Sequence, residues 1–159
     1  RLGVNVRTLV PGYPAVTAQI GKARKVKSYP ALFGQAATLL EAKLGEIDLL
    51  VLDCPTFFHR EGTPYADKWG NEWNDNWRRF AALSAVGADI AAGAMKGWQP
   101  DLIHAHDWQA AMALAYVRFG PAHALPRVFT IHNLAFQGRY GANIFGELGL
   151  PPEAWGVDG

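Results

Sequence analysis

The chain has 159 residues, half of them apolar and 18% charged, a balance that fits one globular α/β-sized unit and excludes a disordered or fibrous segment. Its net charge of +1 provides neither a basic field for nucleic acid nor an acidic solvated arm. The single cysteine, Cys54, precludes an internal disulfide and suits a reducing compartment, with the thiol expected as an inert core group.

No run approaches the roughly 18 apolar residues that span a bilayer, and the start lacks the charged, apolar and small-residue order of a signal peptide, so no membrane partner and a cytoplasmic location are expected. The first residue is Arg, and residues 2–10 already read as a strand in progress. An excised or partial chain is expected.

Residues 4–10 are β-branched and stop at Pro11-Gly12-Tyr13-Pro14, a strand followed by a turn. Residues 23–29 carry alternating basic side chains, which discourage edge pairing and mark an edge strand. Residues 37–44 suit helix or strand by propensity, and the short link to the next strand favours a hairpin. Residues 47–53 are almost wholly apolar, the pattern of a central strand buried on both faces of a parallel sheet. Residues 56–76 then form a long loop rich in Phe, Tyr and Trp. Such aromatics anchor a loop to the core or stack on sugar rings, and both readings stand at this point.

From Asn76 apolar residues recur at helical spacing, with Asp75 as the expected N-cap and closure near Gly97. A strand over 101–105, a helix over 108–119, a Pro-rich break at 121–126 and a strand over 127–131 follow. Alternating strands and helices with short links imply right-handed crossovers and a parallel Rossmann-like sheet. Beyond Gly138 the composition predicts an extended surface excursion rather than another strand.

Both later strands break at their C-terminal ends into polar residues: His104, His106, Asp107 and Trp108 after one, His132 and Asn133 after the other. Open α/β sheets bind ligands at that edge, where helix N-termini converge. Asp107 by itself reads as an N-cap for the helix beginning near Trp108. His104 and His106 share a strand face and, with His132, form a candidate zinc set, so a zinc-dependent hydrolase is one alternative. No Glu adjoins the pair as a base, and the bland reading makes both histidines structural. There is no Gly-X-Gly-X-X-Gly after a strand, no P-loop and no Gly-X-Ser-X-Gly elbow.

Five phrases occur in a telling order: Leu9-Val-Pro-Gly-Tyr-Pro14, Gly62-Thr-Pro-Tyr65, Asn74-Asp-Asn76 with Arg79-Phe-Ala-Ala-Leu-Ser84, Trp98-Gln-Pro-Asp-Leu-Ile-His-Ala-His-Asp-Trp-Gln109, and Phe129-Thr-Ile-His-Asn-Leu-Ala-Phe-Gln-Gly138. In order and spacing they resemble bacterial glycogen synthases and plant starch synthases over nearly the whole chain. The resemblance implies a retaining glucosyltransferase of GT-B architecture that adds glucose from ADP-glucose to the non-reducing end of an α-1,4-glucan such as glycogen. Residues 1–159 would be part of its N-terminal, Rossmann-like catalytic domain, lacking the first strand, with the second, nucleotide-binding domain absent. The family's phosphate loop and the cations that grip the diphosphate fall outside the chain, so the fragment alone is expected to be inactive. Carried over residue by residue, Asp107 and His132 lie by the donor glucose, while Tyr65, Trp108, Asn133 and Gln137 line the sugar and acceptor side. Gln109 stands where many members have His. No cofactor and no metal are implied, ADP-glucose being a substrate. A non-catalytic glucan-binding module, for which the aromatic loop would suffice, is the other alternative.

Overall fold

The computed structural model describes residues 3–156, which fall into two compact units that divide between Asn74 and Asp75. Leu2, expected in the first strand, lies outside the described residues.

The first unit is built on a four-stranded sheet in the order β1-β4-β3-β2, from β1 (Arg7–Pro11), β2 (Arg24–Leu32), β3 (Gln35–Leu44) and β4 (Ile47–Asp53). The hairpin expected between residues 37 and 53 is β3–β4, paired antiparallel from Thr38 opposite Asp53 to Leu44 opposite Ile47. β2 is the edge strand that its lysines predict, and Arg24 and Arg7 converge on Glu41. β4 is central, with residues 49–52 buried. The sheet is mixed rather than purely parallel, because β4 pairs in parallel with β1 and antiparallel with β3. The two-residue link at Gly45 and Glu46 can close only an antiparallel pair, since a parallel partner requires a crossover of a dozen or more residues.

A helical turn, α1 (Pro14–Thr17), follows β1, and a second, α2 (Pro55–Phe58), follows β4. The aromatic loop is therefore not structureless, and its aromatics divide by position. Phe57 and Phe58 are buried, and Phe58 meets Tyr13 edge to face at 5.6 Å. Cys54 beside them is fully buried, and burial pushes its thiol pKa up, consistent with an inert core group. Trp69 and Tyr65 are exposed, whereas the Trp73 ring lies under the Arg60 guanidinium. Thr63 and Asp67 fold residues 63–73 into two turns. The Thr63 hydroxyl accepts the N–H groups of Tyr65 and Ala66, and the Asp67 carboxylate accepts those of Trp69 and Asn71.

The second unit holds α3 (Asn76–Ala91), β5 (Ile103–His106), α4 (Asp107–Arg118) and β6 (Arg127–Thr130). α3 buries Phe80, Ala81, Ala82, Leu83, Val86 and Ile90. Asp75 occupies its N-cap position but makes no capping bond from its side chain, and the helix ends at Ala91, earlier than the expected Gly97. Gly93, at φ +97°, takes the chain out of helical conformation there. β5 and β6 pair in parallel from Ile103 opposite Arg127 to His106 opposite Thr130, as the strand–helix–strand alternation predicts. Past Gly138 there is no strand among the described residues. The chain instead makes 3-10 turns at Ala142–Glu147 and Pro152–Ala154, and the Tyr116 hydroxyl donates to the Leu148 carbonyl at 2.6 Å. No helix among the described residues is long and apolar enough to cross a membrane.

Candidate active site

Strand parity sets the site. On β5, Ala105 is buried while His104 and His106 turn to the opposite, exposed face, where their rings stack at 4.2 Å between centroids. Thr130 and His132, two residues apart, come alongside. His104 Nε2 is 2.7 Å from Thr130 Oγ1, and His106 Nδ1 is 3.1 Å from His132 Nε2. The His106 and His132 rings are also stacked, at 5.4 Å. Partial burial, then the neighbouring His104 and His132 rings, hold the His106 imidazole below its ordinary pKa against the opposing pull of Asp107.

Asp107 does not cap α4 as the sequence suggests. His106 takes the N-cap position and Asp107 is the first helical residue, at φ +54°. Asp tolerates this left-handed conformation better than most residues, yet it still costs about 1 kcal/mol. Its carboxylate turns to the other strand end, where Oδ1 accepts the His132 backbone N–H at 2.7 Å. Standing at the first helical position rather than at the N-cap, Asp107 is free to make this charge-assisted bond to the end of the neighbouring strand. The first turn of α4 also favours an anion there.

From His132 the chain folds into a compact turn. Asn133 Oδ1 accepts the Ala135 N–H at 2.9 Å, and the Gln137 amide donates to the Leu134 carbonyl at 3.0 Å. The turn exits through Gly138, whose backbone lies against the Trp108 indole so closely that a Cβ would sit 2.2 Å from Cε3. Trp108 further meets Phe80 edge to face at 5.0 Å and Tyr140 at 5.9 Å. Much of the indole is thus a platform on which the turn rests.

The structure therefore joins Asp107 to His132, with Asn133 and Gln137 in the turn that follows and Trp108 packed under that turn at Gly138. Tyr65 belongs to the first unit, where it is 48% exposed and its carbonyl accepts the Trp73 N–H at 3.2 Å. Sequence reasoning assigned no part to Thr130 or Gly138 and treated His106 as structural. The parity of two parallel strands carrying His-X-His and Thr-X-His was the signal that aligns them. No group of three His, Cys, Asp or Glu side chains arranged to hold a metal occurs among the described residues.

A profile of the starch synthase catalytic domain matches residues 1–159. The chain belongs to the starch synthase catalytic domain family. Among relatives within this family, the glycogen synthase of Novosphingobium aromaticivorans is 54% identical over 160 residues, covering 99% of this chain and 33% of that protein. That of Mesorhizobium japonicum is 54% identical over 157 residues, again 99% of this chain and 33% of that protein. The chain thus spans about a third of the length of these relatives. A solved structure, the catalytic domain of Starch Synthase IV from Arabidopsis thaliana bound to ADP and acarbose, aligns with TM-score 0.70 at 24% identity over 90% of this chain and 30% of that one. It shows a shared fold, so the α/β, GT-B assignment and the five-motif resemblance both hold.

Proposed function

We propose that the polypeptide containing this chain is a glycogen or starch synthase, a retaining hexosyltransferase that moves glucose from ADP-glucose to the non-reducing end of an α-1,4-glucan. The observation that carries this reading is the bond between Asp107 and the His132 backbone at the ends of two parallel strands, in a chain of the starch synthase family. Family membership supports the reaction, and the ADP and acarbose named with the Arabidopsis structure support a nucleotide sugar and a glucan as partners.

Retaining transfer stabilises an oxocarbenium-like glucosyl unit and a departing diphosphate. Asp107 supplies negative potential beside the reacting carbon or grips an acceptor hydroxyl, while His132 steadies the donor ring. Trp108, Asn133 and Gln137 line the sugar and acceptor side, and Tyr65, in the first unit, takes a sugar-binding part by the family resemblance. In this proposal the reaction needs no metal, takes place in the cytoplasm, and depends for its diphosphate-binding cations on chain beyond these residues, so residues 1–159 alone transfer no glucose.

The test is incorporation of labelled glucose into glycogen by the longer polypeptide, with ADP-glucose or UDP-glucose as donor and a chelator present. Transfer from ADP-glucose that survives chelation is expected. Loss of activity with chelator would favour the zinc reading, and glycogen binding without transfer would favour a glucan-binding module.

A further inference from the structure

We infer that His106 is the positioning residue for His132: it holds the His132 ring by its Nε2 and so leaves Nδ1 and the backbone carbonyl as the groups His132 can offer a sugar. This rests on the glucosyltransferase reading above.

His132 is held at two points. Its backbone N–H is taken by Asp107 at 2.7 Å, and its Nε2 lies 3.1 Å from His106 Nδ1. The second hold has support of its own, because His106 is stacked on His104 at 4.2 Å and His104 is bonded to Thr130, two residues before His132. The four side chains form a ladder between β5 and the segment from Thr130 to His132: His104 bonds Thr130 at the end of β6, and His106 bonds His132, two residues past it. A hydrogen bond between two neutral imidazoles requires one facing nitrogen to carry the proton and the other to be bare, so His106 also couples its own tautomer to that of His132. Partial burial and the neighbouring histidines hold the His106 imidazole below its ordinary pKa, which favours its neutral, tautomer-coupling form. Among the described residues, Asp107 holds the His132 backbone and His106 is the side chain bonded to its ring, so His106 is the group that orients the ring.

The experiment uses the longer polypeptide with two substitutions. His106→Phe keeps a ring to stack on His104 but removes the nitrogen, and His106→Asn restores a polar group near the Nδ1 position. With Phe, kcat is expected to fall by about 10- to 100-fold, the loss that attends misplacement of a reacting group. KM for ADP-glucose should stay near the wild-type value, and Asn should recover most of the rate. Wild-type kcat in His106→Phe, or equal impairment in both variants with native circular dichroism, would overturn the inference. Histidine-selective 15N NMR of the wild-type polypeptide is the second measurement and needs no variant to fold. His106 Nδ1 and His132 Nε2 should be of opposite type, one protonated and one bare, and two nitrogens of the same type would overturn the pairing. A wild-type polypeptide that transfers no glucose from any donor would refute the reaction proposed above, while the nitrogen types would still decide for or against the pairing.

Discussion

Gly138→Ala tests whether the Trp108 platform holds the site. At φ +59° an alanine is strained, and its Cβ would lie 2.2 Å from Trp108 Cε3 and 2.4 Å from Cδ2, distances no real contact shows. The indole has little room to yield, since it is packed on Phe80 at 5.0 Å and Tyr140 at 5.9 Å. The backbone term is about 1–2 kcal/mol, reduced by about 0.4–1 kcal/mol through the stiffer unfolded chain. Overpacking adds about 1–3 kcal/mol, and displaced aromatic pairs add about 0.5–1.5 kcal/mol. Gly93→Ala is the matched control, for it shares a positive φ of +97° but meets nothing within 4 Å. The excess of Gly138→Ala over Gly93→Ala should therefore be about 1.5–4.5 kcal/mol, a fall in urea midpoint of about 1–2 M at an ordinary denaturant slope. Urea titration followed by tryptophan fluorescence reads it directly. Equal midpoints for the two variants would refute the claim that Gly138 is required by Trp108.

Two further expectations concern ionisation. The His106 pKa is depressed, so between its folded value and the unfolded value of about 6.5 the unfolded chain binds more protons and stability rises with pH. The contribution is complete above the unfolded value and lost as pH falls through the folded one. The groups facing His106 are His104, His132 and Asp107, with Thr130 at the neighbouring rung. In an NMR titration, His104→Gln or His132→Gln should raise the His106 midpoint and Asp107→Asn should lower it further. An unmoved midpoint in all three variants would contradict this electrostatic account. Asp67 is depressed by the Asn71 side-chain bond first and then by backbone N–H groups, so its support for the turn that carries Trp69 is present above the ordinary carboxylate range and lost as pH falls through its folded pKa. Asp67→Ala should raise KM for glycogen more than it lowers kcat, and a change confined to kcat would count against a binding role for this loop.

The apolar run at 47–53 and the basic alternation at 23–29 made β4 and β2 legible, because burial and edge avoidance are written in side-chain type. The orientation of β3 against β4 followed from the short link alone, although the sheet as a whole proved mixed. The local cap reading of Asp107 fails because a cap and a cross-strand acceptor use the same residue type, and the difference lies in a bond to His132, 25 residues away. Trp108 and Gly138 interact at similar separation, so neither local propensity nor periodicity reveals that one residue is shaped to the other. The aromatics of residues 57–73 look alike in sequence, but α2 buries Phe57 and Phe58 while the turns built by Thr63 and Asp67 carry the exposed Tyr65 and Trp69. A lone strand shows no partner for His106, and the parallel register against β6 is what brings His132 to it.

The most direct test of the central claim, that Asp107 contributes charge to a glucosyl transfer at this strand edge, is the kcat of Asp107→Asn in the longer polypeptide with ADP-glucose and glycogen. Asn keeps an oxygen to accept the His132 N–H, so the local geometry survives while the charge is lost. The account predicts kcat lower by about 100- to 1,000-fold, the scale of removing one preorganised electrostatic group, with the His132 amide resonance little moved. Wild-type turnover in Asp107→Asn would contradict it.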